Sequence, residues 1–164
     1  MSQLSIQLLG AFQVSLAEKP VVGFDSDKVR ALLAYLAVEQ ARPFRRELLA
    51  GLLWPNKAKA NSLASLRHAL SNLRALLGDD NGRFLHVTRQ TIQFNPNDDA
   101  WVDAVHFDQL LIEPAPTLTQ IEAAVALVNG RFLSGFALKE CLAFEEWLLL
   151  QREQYQRQVI TLLN

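Results

Sequence analysis

The segment from Lys57 to Gly78 constrains the fold of this sequence more than any other. It opens after Trp54-Pro55, where proline ends any preceding helix, and closes at Gly78, a residue favoured just past a last helical turn. Between these stops Leu63, Leu66, Leu70, Leu73 and Leu77 recur so that, at ~100° per residue, they fall in one narrow stripe. The spacing predicts a long helix over 57–77 with its leucine edge buried. The opposite face carries Asn61, Ala64, Ser65, His68, Ser71, Asn72 and Ala75, with Arg67 and Arg74 on one flank, and no acid occurs from Lys57 to Gly78. Solvated helices of this length ordinarily mix Glu with Lys, because i,i+4 pairs of opposite charge stabilise them. A face of small hydrogen-bonding residues suits a major groove instead. Asn can bond adenine bidentately, Ser and His reach base-edge acceptors, alanines permit close approach, and flanking arginines meet phosphates. Taken alone, the helix fits equally well a plain exposed surface with solvated arginines.

The surrounding elements move that balance. Leu4, Ile6 and Leu8, then Phe12, Val14 and Leu16, alternate with polar residues and break phase at Gly10, which reads as a strand pair or one bent strand. Glu18-Lys-Pro20 reads as a turn and Val21 to Phe24 as a short further strand, giving a small antiparallel sheet. Asp25-Ser-Asp27 supplies an N-cap for a helix with Val29, Leu32, Leu33, Leu36 and Ala37, running to about Gln40. A second helix is expected from Pro43, with Phe44, Leu48, Leu49 and Leu52 on one face. After the long helix, Arg83 to Thr88 and Thr91 to Phe94 form two extended runs around Arg89-Gln90, a β-hairpin whose loop is two residues or longer. Sheet, two helices, a long third helix and a hairpin are the plan of a winged helix, whose third helix enters the groove while the hairpin touches backbone or minor groove. Arg89 sits at that hairpin's tip.

From Trp101 the chain reads as helical. Trp101, Val102, Val105, Phe107, Leu110 and Leu111 suggest a short helix ended by Pro114 and Pro116, and Thr119 is the expected cap of a helix with Ile121, Ala124, Val125 and Val128. Residues 130–136 read as a loop, and Cys141 to Leu163 as a last helix with Phe144, Trp147 and Leu148 on one side. That helix is still periodic where the sequence stops, so further helices are expected to follow it. Charge divides along the same line. The chain of 164 residues has a net charge of -1, yet residues 1–100 hold 12 Lys+Arg against 9 Asp+Glu, and residues 101–164 hold 4 against 8. From Arg42 to Arg74 seven cations face one acid, Glu47. A basic block beside an acidic part suggests a polyanion-binding module joined to something with another task.

These residues also resemble a known family. Leu8-Leu-Gly-Ala-Phe12, Arg30-Ala-Leu-Leu-Ala-Tyr-Leu36, Arg46-Glu-Leu-Leu49, Leu53-Trp-Pro55, Ser65-Leu-Arg-His-Ala-Leu-Ser-Asn-Leu-Arg74, Gly135-Phe136 and Phe144-Glu-Glu-Trp-Leu148 with Arg152-Glu153 closely resemble the SARP/AfsR-type bacterial transcriptional regulators, in order and over essentially the whole chain. The resemblance implies an α+β fold: an OmpR-type winged helix-turn-helix with an N-terminal antiparallel sheet over 1–98, then, over 99–164, the start of an all-α, tetratricopeptide-like bacterial transcriptional activation domain, incomplete at this length. It implies promoter repeats of double-stranded DNA as ligand, and RNA polymerase, a second protomer on direct repeats, or the protein's own C-terminal domains as partners. It places His68, Asn72 and Arg74 where winged-helix relatives contact bases or phosphates, although many relatives carry a basic residue at the position of Asn72. The expected DNA-binding set is therefore Asn61, Ser65, His68 and Asn72 on bases, with Lys57, Lys59, Arg67, Arg74 and Arg89 on phosphates.

Other chemistries find little support. The histidines His68, His86 and His106 lie on separate elements without a partner at ligand spacing, so no metal site is expected. Asp79-Asp80, Asp98-Asp99 and Glu145-Glu146 are adjacent pairs, the pattern of loops and solvated faces rather than of acid/base dyads. No phosphate-binding glycine loop or nucleophile elbow occurs, and no cofactor or enzymatic activity is expected. Cys141 reads as a small packing residue, and a single cysteine suits a reducing, cytoplasmic setting. Apolar runs stay far below the ~20 residues that span a bilayer, so no membrane partner is expected. The competing reading is a helical interaction or scaffold module whose winged helix no longer binds DNA.

Overall fold

A computed structural model describes residues 3–112 and 114–163. The chain begins with β1 (Leu4–Gln7) and β2 (Gln13–Leu16), paired antiparallel in the register Leu4 to Leu16 and Ile6 to Val14. The expected turn at 18–20 falls earlier. Ala17 and Glu18 both have positive φ, of 52° and 67°, and so reverse the chain tightly enough for Lys19–Pro20 (β3) to pair with β2. Proline is tolerated there because the strand is an edge. The further strand expected over 21–24 does not form: the Val21 amide still reaches Val14, after which the backbone leaves the sheet through Gly23.

Helix α1 (Asp27–Val38) follows, with Leu32, Leu33 and Leu36 fully buried. Ser26 occupies the cap position but makes no side-chain cap bond. The second helix starts later than expected. Phe44–Arg45 is a short strand, β4, whose Phe44 is buried against Tyr35 with ring centroids 5.2 Å apart, and only Arg46–Leu53 is helical (α2). The cause is tertiary, since β4 pairs with the hairpin β5 (Leu85–Val87) and β6 (Thr91–Phe94) as the sheet β4-β6-β5. Leu48, expected on the buried face of that helix, is exposed.

The long helix α3 spans Lys59–Leu77, two residues shorter at its start than the expected 57–77, because Lys57 lies in the turn that its amide closes onto Trp54. It ends at Gly78 in the left-handed region, φ 61°, where the Gly78 and Asp79 amides cap Ala75 and Arg74.

Trp101 and Val102 were expected in a helix but form a strand. Ala100–Val102 (β7) runs parallel to β1, Leu4 opposite Ala100 and Ile6 opposite Val102, and completes the sheet β3-β2-β1-β7. Three residues suffice because β1 already offers a free edge. This strand lies on the far side of the division expected at residue 98, so the first residues of the second segment belong to the N-terminal sheet. Helices α4 (Asp103–Leu110), α5 (Leu118–Ala126) and α6 (Leu142–Leu163) complete the chain. Thr117, not Thr119, caps α5, in a reciprocal capping box with Gln120.

One continuous core joins these parts. Asp103, 2% exposed, accepts the amides of Leu8 and Leu9 at 2.8 and 2.9 Å, tying the start of α4 to the end of β1. Gly10 explains the phase break: a Cβ there would stand 3.3 Å from Asn129, so glycine lets the loop 129–130 close over the strand end. Arg152 donates to the carbonyls of Phe132, Leu133 and Phe136, holding the loop before α6 in place. Trp147 packs tilted against Tyr35, ring centroids 4.9 Å apart, and Cys141, buried, donates its thiol to Leu53 O. Among the described residues no helix is long and apolar enough to cross a membrane.

Candidate nucleic-acid interface

The leucine stripe does what its spacing implies. Leu66, Leu70, Leu73 and Leu77 are buried, joined by Ala69 and Ser62, whose hydroxyl bonds Lys59 O, while Leu63 is half-buried. With α2 packed alongside, this burial fixes which side of α3 faces outward. Asn61, Arg67, His68, Ser71 and Ala75 are exposed there, and Ala64 and Ser65 are half-buried. Lys57 bends back from the preceding turn and donates to Ser65 Oγ at 2.8 Å, so the two act as one polar unit beside Asn61 and His68.

Asn72 is placed differently. Its Oδ1 accepts from the Asp25 amide at 3.0 Å and its Nδ2 donates to Gly23 O at 3.3 Å, so the side chain is half-buried against the loop that enters α1. One N–H and one lone pair of its amide remain. Nothing within α3 signals this role, since both partners are backbone atoms nearly fifty positions away.

The basic groups gather at three places. Arg67 and Arg74, with Arg46 from the start of α2, line a concavity of about 460 Å³ between α3 and the hairpin, whose rim also holds Ser71 and Asp80. Arg89 stands exposed at the hairpin tip, and Lys59 lies exposed at the start of α3. Backbone hydrogen bonding at its own amide, followed by Arg45 and Lys59 nearby, holds the Glu47 carboxyl below its usual range. Among the described residues the salt bridges are Lys28–Glu140, Arg30–Asp27, Arg45–Glu47 and Arg83–Asp99. Lys57, Lys59, Arg67, Arg74 and Arg89 therefore carry charge that no carboxylate in the described chain neutralises by direct pairing.

Three residues outside the expected set hold this surface in shape. Arg46 donates through Nε and a terminal nitrogen to Thr88 O at 3.2 and 2.9 Å, and its amide reaches Gln90 O. Thr88 closes the hairpin, its Oγ1 accepting from the amides of Gln90 and Thr91. That bonding lets Arg89-Gln90 turn without positive φ, which preferred two-residue hairpin loops require. Asp79, 1% exposed, accepts from the amides of Phe84 and Leu85, fastening the end of α3 to the first hairpin strand. A threonine before a turn and an aspartate after a helix-ending glycine are the sequence signals for the last two.

The histidines occupy separate elements, and among the described residues no group of His, Cys, Asp and Glu could hold a metal ion. The arrangement is instead an outward helix face without acids, bordered by guanidinium groups and one protruding hairpin, a surface complementary to a grooved polyanion.

Compared with models of known protein families, the chain matches none. Over 76 residues, 46% of this chain and 19% of the relative, it is 36% identical to the transcriptional regulatory protein EmbR of Mycobacterium bovis, and equally to that of Mycobacterium tuberculosis. The solved structure of Mycobacterium tuberculosis EmbR in complex with a low affinity phosphopeptide has the same fold: the match has a TM-score of 0.74 at 22% identity and covers 99% of this chain and 44% of that one. The chain thus spans less than half of the EmbR chain whose fold it shares.

Proposed function

We propose, taking the chain as a SARP-type transcriptional regulator from its relation to EmbR in sequence and fold, that it binds promoter DNA sequence-specifically, with α3 in the major groove and the hairpin on the flanking backbone or minor groove. The observation that carries this reading is the outward face of α3, acid-free and bordered by cations that no carboxylate among the described residues pairs. Asn61, His68 and Ser65, the last with Lys57 attached, meet base edges. Lys59, Arg67, Arg74 and Arg89 meet phosphates. Asn72 holds the loop 23–25 against the helix and offers the groove only what its amide has left. The acidic helices α4 to α6, the start of an activation domain in this reading, face RNA polymerase, a second protomer on direct repeats or further domains of the same protein. Regulation is then non-enzymatic and cytoplasmic, most simply as an activator.

A mobility-shift titration on random duplex at low salt tests the first step. Binding that weakens steeply with salt is expected, because phosphate contacts release counterions. Selection of bound fragments from a genomic library then tests sequence preference. Absence of binding even at low salt would sink the DNA reading and favour a helical interaction module.

A further inference from the structure

The concavity between α3 and the hairpin is built more carefully than a chance meeting of arginines. Arg46 is pinned by two bonds to Thr88 O, and Arg74 by its Nε to Asp79 O at 3.2 Å. Each anchor is a backbone carbonyl of the hairpin or of the turn leading into it. Three guanidinium N–H donors of Arg46 and four of Arg74 remain, since each group carries five. Arg67 lines the same concavity, and Ser71 adds a hydroxyl. Guanidinium groups already fixed by one edge lose little side-chain freedom when the other edge meets an oxyanion, and their planar fork matches a phosphate.

We infer that this concavity seats a single backbone phosphodiester of duplex DNA, held jointly by Arg46, Arg67 and Arg74, at the point where the strand passes from the groove-reading helix to the hairpin. The inference rests on the DNA-binding reading above and adds to it a shared phosphate and a residue, Arg46, outside the expected contact set. The seat fixes the distance between what α3 reads and where Arg89 lands, because Arg46 belongs to the seat and also holds the hairpin tip. Asp80 on the rim is the one feature opposed to an anion. Its presence gives the inference a second, opposite-signed prediction.

The test is the salt dependence of binding to a random-sequence duplex, measured for the full chain. Neutralising one phosphate changes the slope of log K against log salt by about 0.9. If one phosphate is shared, Arg46→Ala and Arg74→Ala each flatten the slope by no more than that single step, and the triple variant with Arg67→Ala flattens it by the same one step in all. Between 50 and 200 mM salt the wild type then loses about 3.5-fold more affinity than the triple variant. Adding Arg89→Ala flattens the slope by a further step, and Asp80→Asn strengthens binding. Arg46→Lys, which keeps charge but cannot hold Thr88 O with two bonds, repeats the affinity loss at least in part and guards against misfolding of the alanine variant. A triple variant whose slope falls by two steps or more, or does not move, overturns the shared seat while leaving DNA binding intact. A wild type that binds no duplex overturns both readings at once.

Discussion

The Oδ1 atom of Asp103 stands 2.8 Å from the amide nitrogen of Leu8, a contact that crosses 95 positions of sequence and lies wholly out of solvent. Its other oxygen serves Leu9, so one carboxylate satisfies two amides at the end of β1. Replacing Asp103 by Ala strands both. Unpaired buried donors cost ~1–3 kcal/mol each, so urea unfolding should show a loss of about 2–6 kcal/mol. A loss below about 0.5 kcal/mol, the range of ordinary surface substitutions, would mean that water or a rearranged backbone replaces the carboxylate.

His68 and Arg67 are neighbours in sequence with different expected roles. His68→Ala should weaken binding to a selected promoter fragment more than to random duplex, by ~1–3 kcal/mol of lost discrimination. Arg67→Ala should weaken both alike and flatten the salt dependence. Equal losses for His68→Ala on all sequences would remove it from base readout.

Asn72 is a test of position against readout. If its main task is to hold the loop at Gly23 and Asp25, Asn72→Ala should lower stability by ~1 kcal/mol and speed hydrogen exchange at the Asp25 amide. Affinity should then fall by a similar factor on every sequence. A change in which sequences are selected, with exchange at Asp25 untouched, would return Asn72 to the base-contacting set.

The chain has two tyrosines, and burial raises the pKa of both: Tyr35 beneath Trp147 and Phe44, and Tyr155 beside Phe107 and Phe132, where the Asp108 carboxylate adds to the effect. A raised folded-state pKa means that the neutral phenol is favoured in the fold. That contribution to stability is complete below the unfolded value of about 10 and is lost as pH climbs above it. Alkaline titration should therefore show no tyrosinate absorbance at the ordinary pH, then a joint rise as the chain unfolds. An independent rise of one tyrosine near pH 10 in folded protein would contradict the burial.

The parts of this molecule that could be read in its sequence are those written in local periodicity. The α3 stripe needs only the recurrence of Leu66, Leu70, Leu73 and Leu77, and the hairpin only two extended runs about Arg89-Gln90. What escaped depends on distant partners. Phe44 joins a strand because Ile92 lies beside it, and Ala100–Val102 extends because Leu4–Ile6 offers an edge. The same holds at the interface, where the exposed face of α3 followed from its wheel. Arg46 could not be placed, because its partners are main-chain atoms of the hairpin.

The parallel pairing of Leu4–Ile6 with Ala100–Val102 also sets a schedule. At synthesis rates of ~5–20 residues per second, β1 leaves the ribosome roughly 5–20 seconds before the strand that covers its second edge exists. Through that interval the apolar residues Leu4 and Ile6 sit on a strand with β2 on one side and nothing on the other, an open invitation to pairing with a neighbouring nascent chain. Completion of the N-terminal sheet thus waits for residues 100–102 to be made, and production yield should depend on how fast the ribosome reaches residue 102.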